Sequence, residues 1–406
     1  MITPNPQSAY VTRLAADIRA LASIERPSAS PGEEEAAQWV KSRFEETGLT
    51  AEIETFRYNP DYWTAWGAHG VLTAIAAGAA LLSRRTARAA AVGSALTAMS
   101  LFGEFTSSYH LLRRLLPTRN SYNVVARLKN PSASRVLIVS AHHDAPRSGL
   151  MFHPVVTSTM ARLFGPSRDQ SVPFGATLGG MLAVSVGAFS VSVGTARRLA
   201  SRLLWLGGLG GVAFAALMWD VARRPMSPGA NDDASGVAVV LGLASALRRE
   251  PLPDAEVWFL STGSEEGILG GMRAFLTRHR EELADREPVV LNLEMLGSGR
   301  VAFLEGEGFL WRRGYLGPAP EVAREVAAEG AFRGVRALAT APFVTDAQVA
   351  TQFGIPAVTV VSISEDGQIP HYHWPTDTAD NVHLGSVQDA FAFTHRLAVR
   401  LAAVRM

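Results

Sequence analysis

The chain has 406 residues, with 38 basic and 37 acidic side chains, a formal charge of +1 and no cysteine. That balance leaves no basic excess to neutralise phosphates, which excludes nucleic acid as the main partner. Without thiols there are no disulfides, thiolate zinc sites or cysteine nucleophiles, so a transition metal has to be held by His, Asp or Glu.

Taken in chain order, Pro6–Leu21 and Pro31–Thr47 read as amphipathic helices. Glu33, Glu34 and Glu35 stand in the first turn of the second, where the helix dipole favours acid. Ala51–Phe56 alternates like a strand. A first apolar block follows over residues 60–112, with uncharged runs Tyr62–Ser83 and Ala89–Gly103 joined by Arg84, Arg85 and Arg88. Tyr122–Leu128 and Arg135–Ser140 read as strands. A second apolar block covers residues 155–224, with runs Gln170–Thr195 and Leu203–Trp219 joined by Arg197, Arg198 and Arg202.

A helix crosses a bilayer with about 17–25 apolar residues. Three runs reach that length. The second is short, and its neighbour Glu104 has to lie at the membrane surface or face other helices. Each pair reads as a tight hairpin, giving about four inserted helices expected to span a membrane. Trp63, Trp66, Trp205 and Trp219 stand near run ends, as interfacial aromatics do. Gly175/Gly179 and Gly207/Gly211 have the spacing that lets membrane helices approach closely.

Beyond the second block, Gly236–Arg249 and Ile268–Glu282 read as helices, and Ser386–Val404 closes the chain as a third. Glu256–Ser261, Pro288–Leu293, Val301–Leu304 and Ala357–Ser362 read as strands. Strands alternating with helices imply an α/β fold, a mostly parallel mixed sheet flanked by helices. The expected organisation is one discontinuous domain, residues 1–58, 120–154 and 227–406, carrying two helical hairpins, 60–112 and 155–224. A bilayer is therefore an expected partner and the expected location a multi-pass membrane position. The absence of a secretory leader leans the catalytic domain toward the cytoplasm.

Acids and histidines gather where predicted strands end, the ligand-binding edge of an open α/β sheet. Arg135–Ser140 runs into Ala141-His142-His143-Asp144. The loop Ser227–Asp233 opens a helix, Glu256–Ser261 runs into Gly263-Ser264-Glu265-Glu266-Gly267, and Pro288–Leu293 ends at Glu294. His371-Tyr372-His373 and Asp377 come late. Two imidazoles with several carboxylates suit zinc and tolerate cobalt or manganese. Two such ions can activate a shared water, and a carboxylate free of metal can act as general base. The adjacent pair Glu265-Glu266 can supply one residue for each role.

The segments AHHDAP, PGANDDASGVAVVLGLASAL, STGSEEGILGG, VLNLEMLG, TDAQVATQFGIPAV and HYHWPTDTADN resemble, in order, the co-catalytic zinc aminopeptidase family. That family includes bacterial leucyl aminopeptidases and relatives among glutamate carboxypeptidases and glutaminyl cyclases. The resemblance implies a zinc exopeptidase fold, two Zn2+ (Co2+ or Mn2+ in their place), and peptide or N-acyl amino acid substrates. It implies His142 and Glu294 on the first metal, Glu266 and His373 on the second, and Asp232 bridging. It also implies Glu265 as general base, Asp144 orienting His142, and Tyr372 donating to the oxyanion. His143 and His371 are read as supporting loop residues, Asp233 and Asp346 as helix-start residues, Asp377 as support near His373, and His69 and His110 as outside the site. Glu294 stands where the aminopeptidases carry Asp, and in the wider clan Glu there accompanies carboxypeptidase-type enzymes. The expected activity is a membrane-anchored, aminopeptidase-like exopeptidase. The alternatives are a carboxypeptidase or amidohydrolase, a glutaminyl-cyclase-like acyltransferase, and a receptor-like relative without catalysis.

Overall fold

The computed structural model describes residues 6–165, 171–339, 341 and 343–404, so Gln170, the start of the third apolar run, lies outside the described residues. Among the described residues ten strands form: β1 (Ala51–Tyr58), β2 (Arg119–Leu128), β3 (Arg135–His142), β4 (Ala255–Thr262), β5 (Glu287–Glu294), β6 (Arg300–Leu304), β7 (Gly306–Glu307), β8 (Arg313–Gly314), β9 (Arg336–Leu338) and β10 (Ala357–Ile363). Eight of them make one sheet in the order β1-β2-β4-β3-β5-β10-β6-β9. The four central strands, β4, β3, β5 and β10, are mutually parallel, while β1, β2 and β6 pair antiparallel at the flanks. The short pair β7–β8 is separate. β3 and β4 are buried along their whole length, which is why they read as unbroken apolar runs.

Helices cover both faces. Helices α1 (Pro6–Ala22) and α2 (Pro31–Glu46) precede β1, and α2 starts at Ser30, whose hydroxyl accepts from the Glu33 amide. Next come the inserted helices α3 (Tyr62–Leu82), α4 (Arg84–Phe105), α5 (Pro154–Phe164), α6 (Ser171–Val193) and α7 (Arg197–Arg223). Then follow α8 (Ser235–Arg249), α9 (Gly270–Arg278), α10 (Arg280–Ala284), α11 (Ala319–Ala328), α12 (Asp346–Gln352) and α13 (Leu384–Ala403). Residues from α1, α2, α8, α11 and α13 close the core on one face of the sheet, and residues from α9 and α12 close it on the other.

The insertions fold as two hairpins. Ser83 alone joins α3 to α4, with a reciprocal cap between Ser83 and Thr86, and Gly194–Ala196 joins α6 to α7. The four helices form a bundle in which α3 packs on α4 and α7, and α6 packs on α4 and α7. The two turns meet at the far end, where Arg84 sits against Gly194. At the near end, Trp66, Leu101, Phe105, Phe174, Phe214 and Met218 join Met295, Leu304 and Phe309 of the sheet domain in one apolar cluster.

Among the described residues three helices, α3, α6 and α7, are long and apolar enough to cross a membrane; α4 is not one of them. Its first turn carries Arg84, Arg85 and Arg88, and its interior is rich in Ala, Ser and Thr. The glycine pattern holds for one pair only. A Cβ on Gly207 would meet the Gly180 carbonyl at 2.4 Å, and one on Gly211 the Gly70 carbonyl at 2.6 Å, whereas Gly175 and Gly179 face open space. The tryptophans divide likewise. Trp205 and Trp219 are 59% and 62% exposed, but Trp66 is 2% exposed because it lies where the bundle abuts the sheet domain. Glu104 is fully buried and faces other groups, accepting from Trp66 Nε1 at 3.3 Å and pairing with Arg113 at 2.5 Å.

Candidate metal centre

Because β3, β4 and β5 are parallel, their carboxyl ends reach the same edge. His142 is in register with Thr262 at the end of β4, and Glu294 ends β5 opposite Val361 of β10. The turn after β4 delivers Glu265 and Glu266, the residues before α8 deliver Asp232, and the loop after β10 delivers His373. The backbone is strained there. Of the nine described non-glycine residues with positive φ, six flank these side chains or belong to them: Ser264, Ile268, Leu269, Met295, His371 and His373. Strain of this kind persists only where the surroundings hold it, and it gathers at functional sites.

Two triads result, and they share one residue. His142, Asp232 and Glu294 form the first; Asp232, Glu266 and His373 form the second. His142 Nε2 lies 3.1 Å from Asp232 Oδ1 and 3.5 Å from Glu294 Oε2. His373 Nε2 lies 3.3 Å from Asp232 Oδ2 and 3.4 Å from Glu266 Oε2. The two oxygens of Asp232 therefore face different imidazoles, and Oδ2 is buried with no hydrogen-bond partner. Ligands about 2.0–2.1 Å from a tetrahedral ion stand about 3.3–3.4 Å from one another, so this spacing fits zinc. Glu265 groups with His142 and Glu266 but belongs to neither triad.

The electrostatics agree with the donor set. Burial raises Glu265 well above the usual carboxylate range, with Glu294 and Glu266 adding to it. Burial also pushes Glu266 up to about 7 against the pull of His373. Burial pulls His373 down, but Glu266 and Asp232 outweigh it and hold it at about 10. His142 is likewise raised by Glu294, Asp144 and Asp232 against burial. So many acids packed away from water repel one another unless cations or protons lie between them.

The surrounding residues fix this geometry. His142 Nδ1 lies 3.1 Å from the Asp144 carbonyl and 3.5 Å from its carboxylate, which directs Nε2 to the cluster. The Asp144 carboxylate also accepts from the Glu265 and Glu266 amides, both at 3.1 Å, and from Ser28 Oγ at 2.5 Å. Asp144 thus fastens the Glu265-Glu266 turn as well as orienting His142. Asp377 accepts from the Asn231 amide at 2.7 Å and the Asp232 amide at 3.1 Å. It thereby supports Asp232, while its own amide donates to the carbonyl of Trp374, the neighbour of His373, at 2.9 Å. Asp346, the first residue of α12, accepts from Thr262 Oγ1 at 2.6 Å while Thr345 caps the helix, so Asp346 ties the helix start to β4. Asp233 accepts from the Gly236 and Met295 amides, His143 Nδ1 faces Ser261 Oγ at 2.9 Å, and His371 faces Thr376. His69 and His110 lie in or beside the bundle, against Ser100 and Glu104. Tyr372 stacks on His373 with ring centroids 3.9 Å apart and lines the pocket.

Two residues carry weight that no motif announced. Arg26 is fully buried and donates to the carbonyls of His143, Pro228 and Gly229 at 2.6–2.7 Å, tying the end of α1 to both ligand loops. Glu33 accepts from Ser121 Oγ at 2.6 Å, Tyr122 N at 2.9 Å and Ser264 N at 3.1 Å, which fixes the turn ahead of Glu265. Each is a single charged residue more than a hundred positions from the ligands it serves. The only signal is its place in a helix start or connector that later proves buried.

The pocket over the cluster is walled by Tyr62, Trp66, Phe152, Phe174, Phe309 and Phe343, several of them from the inserted segments. The family model "Peptidase family M28" matches residues 219–398. Endoplasmic reticulum metallopeptidase 1 of Mus musculus is 33% identical over 169 residues, 40% of this chain and 18% of that protein, so the match spans about a fifth of that relative's length. Aminopeptidase YwaD of Bacillus subtilis is 39% identical over 74 residues, 18% of this chain and 16% of its own length. Among solved structures, BSAP, a zinc aminopeptidase from Bacillus subtilis, superposes with TM-score 0.56 at 16% identity, covering 97% of this chain and 94% of that one. The resemblance to the co-catalytic zinc aminopeptidase family stands, and the fold is shared.

Proposed function

We propose that this chain, a relative of the co-catalytic zinc peptidases over residues 219–398, is a membrane-held zinc metallopeptidase that hydrolyses the amide bond at the end of a peptide. The observation that carries the reading is Asp232, whose two oxygens face His142 and His373 in two triads of ligand spacing. His142, Asp232 and Glu294 would hold one Zn2+, and Asp232, Glu266 and His373 the other. When bound, the ions would make water acidic and polarise the scissile carbonyl.

The chain's own groups do the rest. Glu265, outside both triads and raised by burial, takes the proton of the attacking water and hands it to the leaving nitrogen. The Tyr372 hydroxyl donates to the oxyanion. Asp144 holds His142 and the Glu265-Glu266 turn in one frame. The aromatic wall excludes bulk water and so strengthens each of these interactions.

No lysine or arginine lines the pocket among the described residues, so a free α-carboxylate finds no cation there. That favours the amino end over a carboxypeptidase, despite Glu294. The peptidase domain comprises 1–58, 120–154 and 227–406, and the hairpins 60–112 and 155–224 anchor it. Arg84, Arg85, Arg88, Arg197, Arg198 and Arg202 cluster around the two turns at the far end of the bundle. At the near end stand Arg113, Arg114, Arg223 and Arg224, fewer than the six at the turns. The positive-inside tendency puts the turns in the cytoplasm and the metal centre on the opposite face, the reverse of the cytoplasmic side expected from the sequence.

A panel of aminoacyl, carboxypeptide and N-acyl substrates, with and without chelator, tests the activity. Hydrolysis that chelator abolishes and zinc restores supports the reading. Hydrolysis indifferent to chelator, or none from zinc-loaded protein, overturns it.

A further inference from the structure

A second cavity of about 340 Å³ lies against the metal pocket, within the usual size range of small-molecule sites. Met151, Phe152, Met160, Phe174, Phe214 and Met218 shape its walls, and among the described residues no charged side chain lines it. Met151, Phe152 and Phe174 also line the metal pocket, so the two spaces share a wall. The Phe152 ring stands 4.5 Å from the ring of His373. The outer walls belong to α6 and α7, two of the membrane-length helices, and to α5. Helix α5 buries none of its residues and exposes Val155 and Leu163 at 64% and 65%, as a helix lying in a membrane interface does. On the membrane-held reading above, the outer walls of the cavity face acyl chains.

Charge in the metal pocket narrows the occupant. Among the described residues, every charged side chain lining it belongs to the metal cluster or is Glu265, so neither a free ammonium nor a free carboxylate finds a spare partner. A neutral, blocked amino end pays no such desolvation cost.

We infer that this cavity binds the aliphatic chain of an N-acylated amino acid or peptide, with the acyl amide placed at the metal centre. The inference rests on the hydrolytic reading above and names its substrate class. In the reaction, water oxygen bonds to the acyl carbon and the C–N bond breaks. The amine leaves with the proton carried by Glu265, giving a fatty acid and a free amino acid or peptide.

The experiment uses full-length, zinc-loaded protein in dilute detergent. The probes are the acetyl, butyryl, hexanoyl and octanoyl derivatives of alanine amide, neutral at both ends, with an octanoyl analogue bearing a terminal diazirine for photo-crosslinking. KM falls with chain length, by at most about fourfold per added methylene. Crosslinks map to residues 150–160 and to α6 and α7. Thr177→Phe on α6 and Thr157→Phe on α5 both project into the cavity, and the second lies on a helix with no buried residue, so folding is spared. Each moves the octanoyl-to-acetyl ratio of kcat/KM toward one and removes the crosslinks, a change that detergent partitioning cannot produce. A flat series with crosslinks elsewhere overturns the inference. If alanyl peptides are then still hydrolysed in a chelator-sensitive way, the exopeptidase reading survives alone. If no amide is hydrolysed, both fall.

Discussion

Replacing Arg26 by methionine should destabilise the protein and weaken zinc binding together, although Arg26 touches no proposed ligand side chain. Its guanidinium donates to His143 O at 2.7 Å, Pro228 O at 2.7 Å and Gly229 O at 2.6 Å, with Leu21 O at 3.1 Å. Charge-assisted bonds of this kind are worth about 1.5–3 kcal/mol each, and buried carbonyls left without a donor cost about as much. Three short bonds amount to about 4–9 kcal/mol before the packing that methionine returns, so a net loss of about 3 kcal/mol or more is expected. The carbonyls of His143 and Gly229 flank the loops that present His142 and Asp232, so zinc affinity should fall about 10–100-fold, as when partners of metal ligands are removed. Arg26→Lys separates geometry from charge. Lysine keeps the cation beside Asp377, Asp144 and Asp232 but cannot reach three carbonyls at once. It should recover only part of the loss. Thermal unfolding in detergent and zinc titration calorimetry read both effects. Wild-type stability and affinity in Arg26→Met, or full recovery in Arg26→Lys, would refute the reasoning.

Other outcomes follow from the same structure. Glu265→Gln should retain zinc and lower kcat by about 10²–10⁴, measured on whichever amide substrate is cleaved. Gly207→Ala should loosen the bundle by about 1–3 kcal/mol, because its Cβ meets the Gly180 carbonyl at 2.4 Å, whereas Gly175→Ala should be neutral or stabilising; paired melting curves decide. Glu307 is fully buried, and burial pushes it up to about 8. The folded state therefore holds a proton that the unfolded state releases near 4.5, so stability should fall as pH rises from about 4.5 to 8. Glu307→Gln should flatten that slope; an unchanged slope would show that another group titrates. Impermeant labelling of cysteines placed in the Ser83 turn and on the exposed surface of β1 should give opposite accessibility in intact cells, with the β1 site reached from outside.

Much of the fold was legible because a buried parallel strand needs apolar side chains on both faces. The runs RVLIVS and EVWFLS could hardly be anything else once a ligand residue followed each. The candidate site was legible for a related reason: parallel strands deliver their ends to one edge, so His142, Glu265, Glu266 and Glu294 meet although they are far apart in the chain. What escaped was long-range and singular. Arg26 and Glu33 look like ordinary surface charges in a connector and a first turn, and only tertiary burial reveals their partners. Helix α5 escaped because its short amphipathic pattern sits inside an apolar block that masks it. Trp66 looked interfacial because hydropathy registers where a helix begins but not what abuts its end. The strands β7, β8 and β9 are two or three residues long and carry no period to read.

The most direct measurement is an anomalous-scattering map at the zinc edge from the zinc-loaded protein. Two peaks per chain are predicted, one among His142, Asp232 and Glu294, the other among Asp232, Glu266 and His373. A single peak, or none within reach of Asp232, would contradict the account.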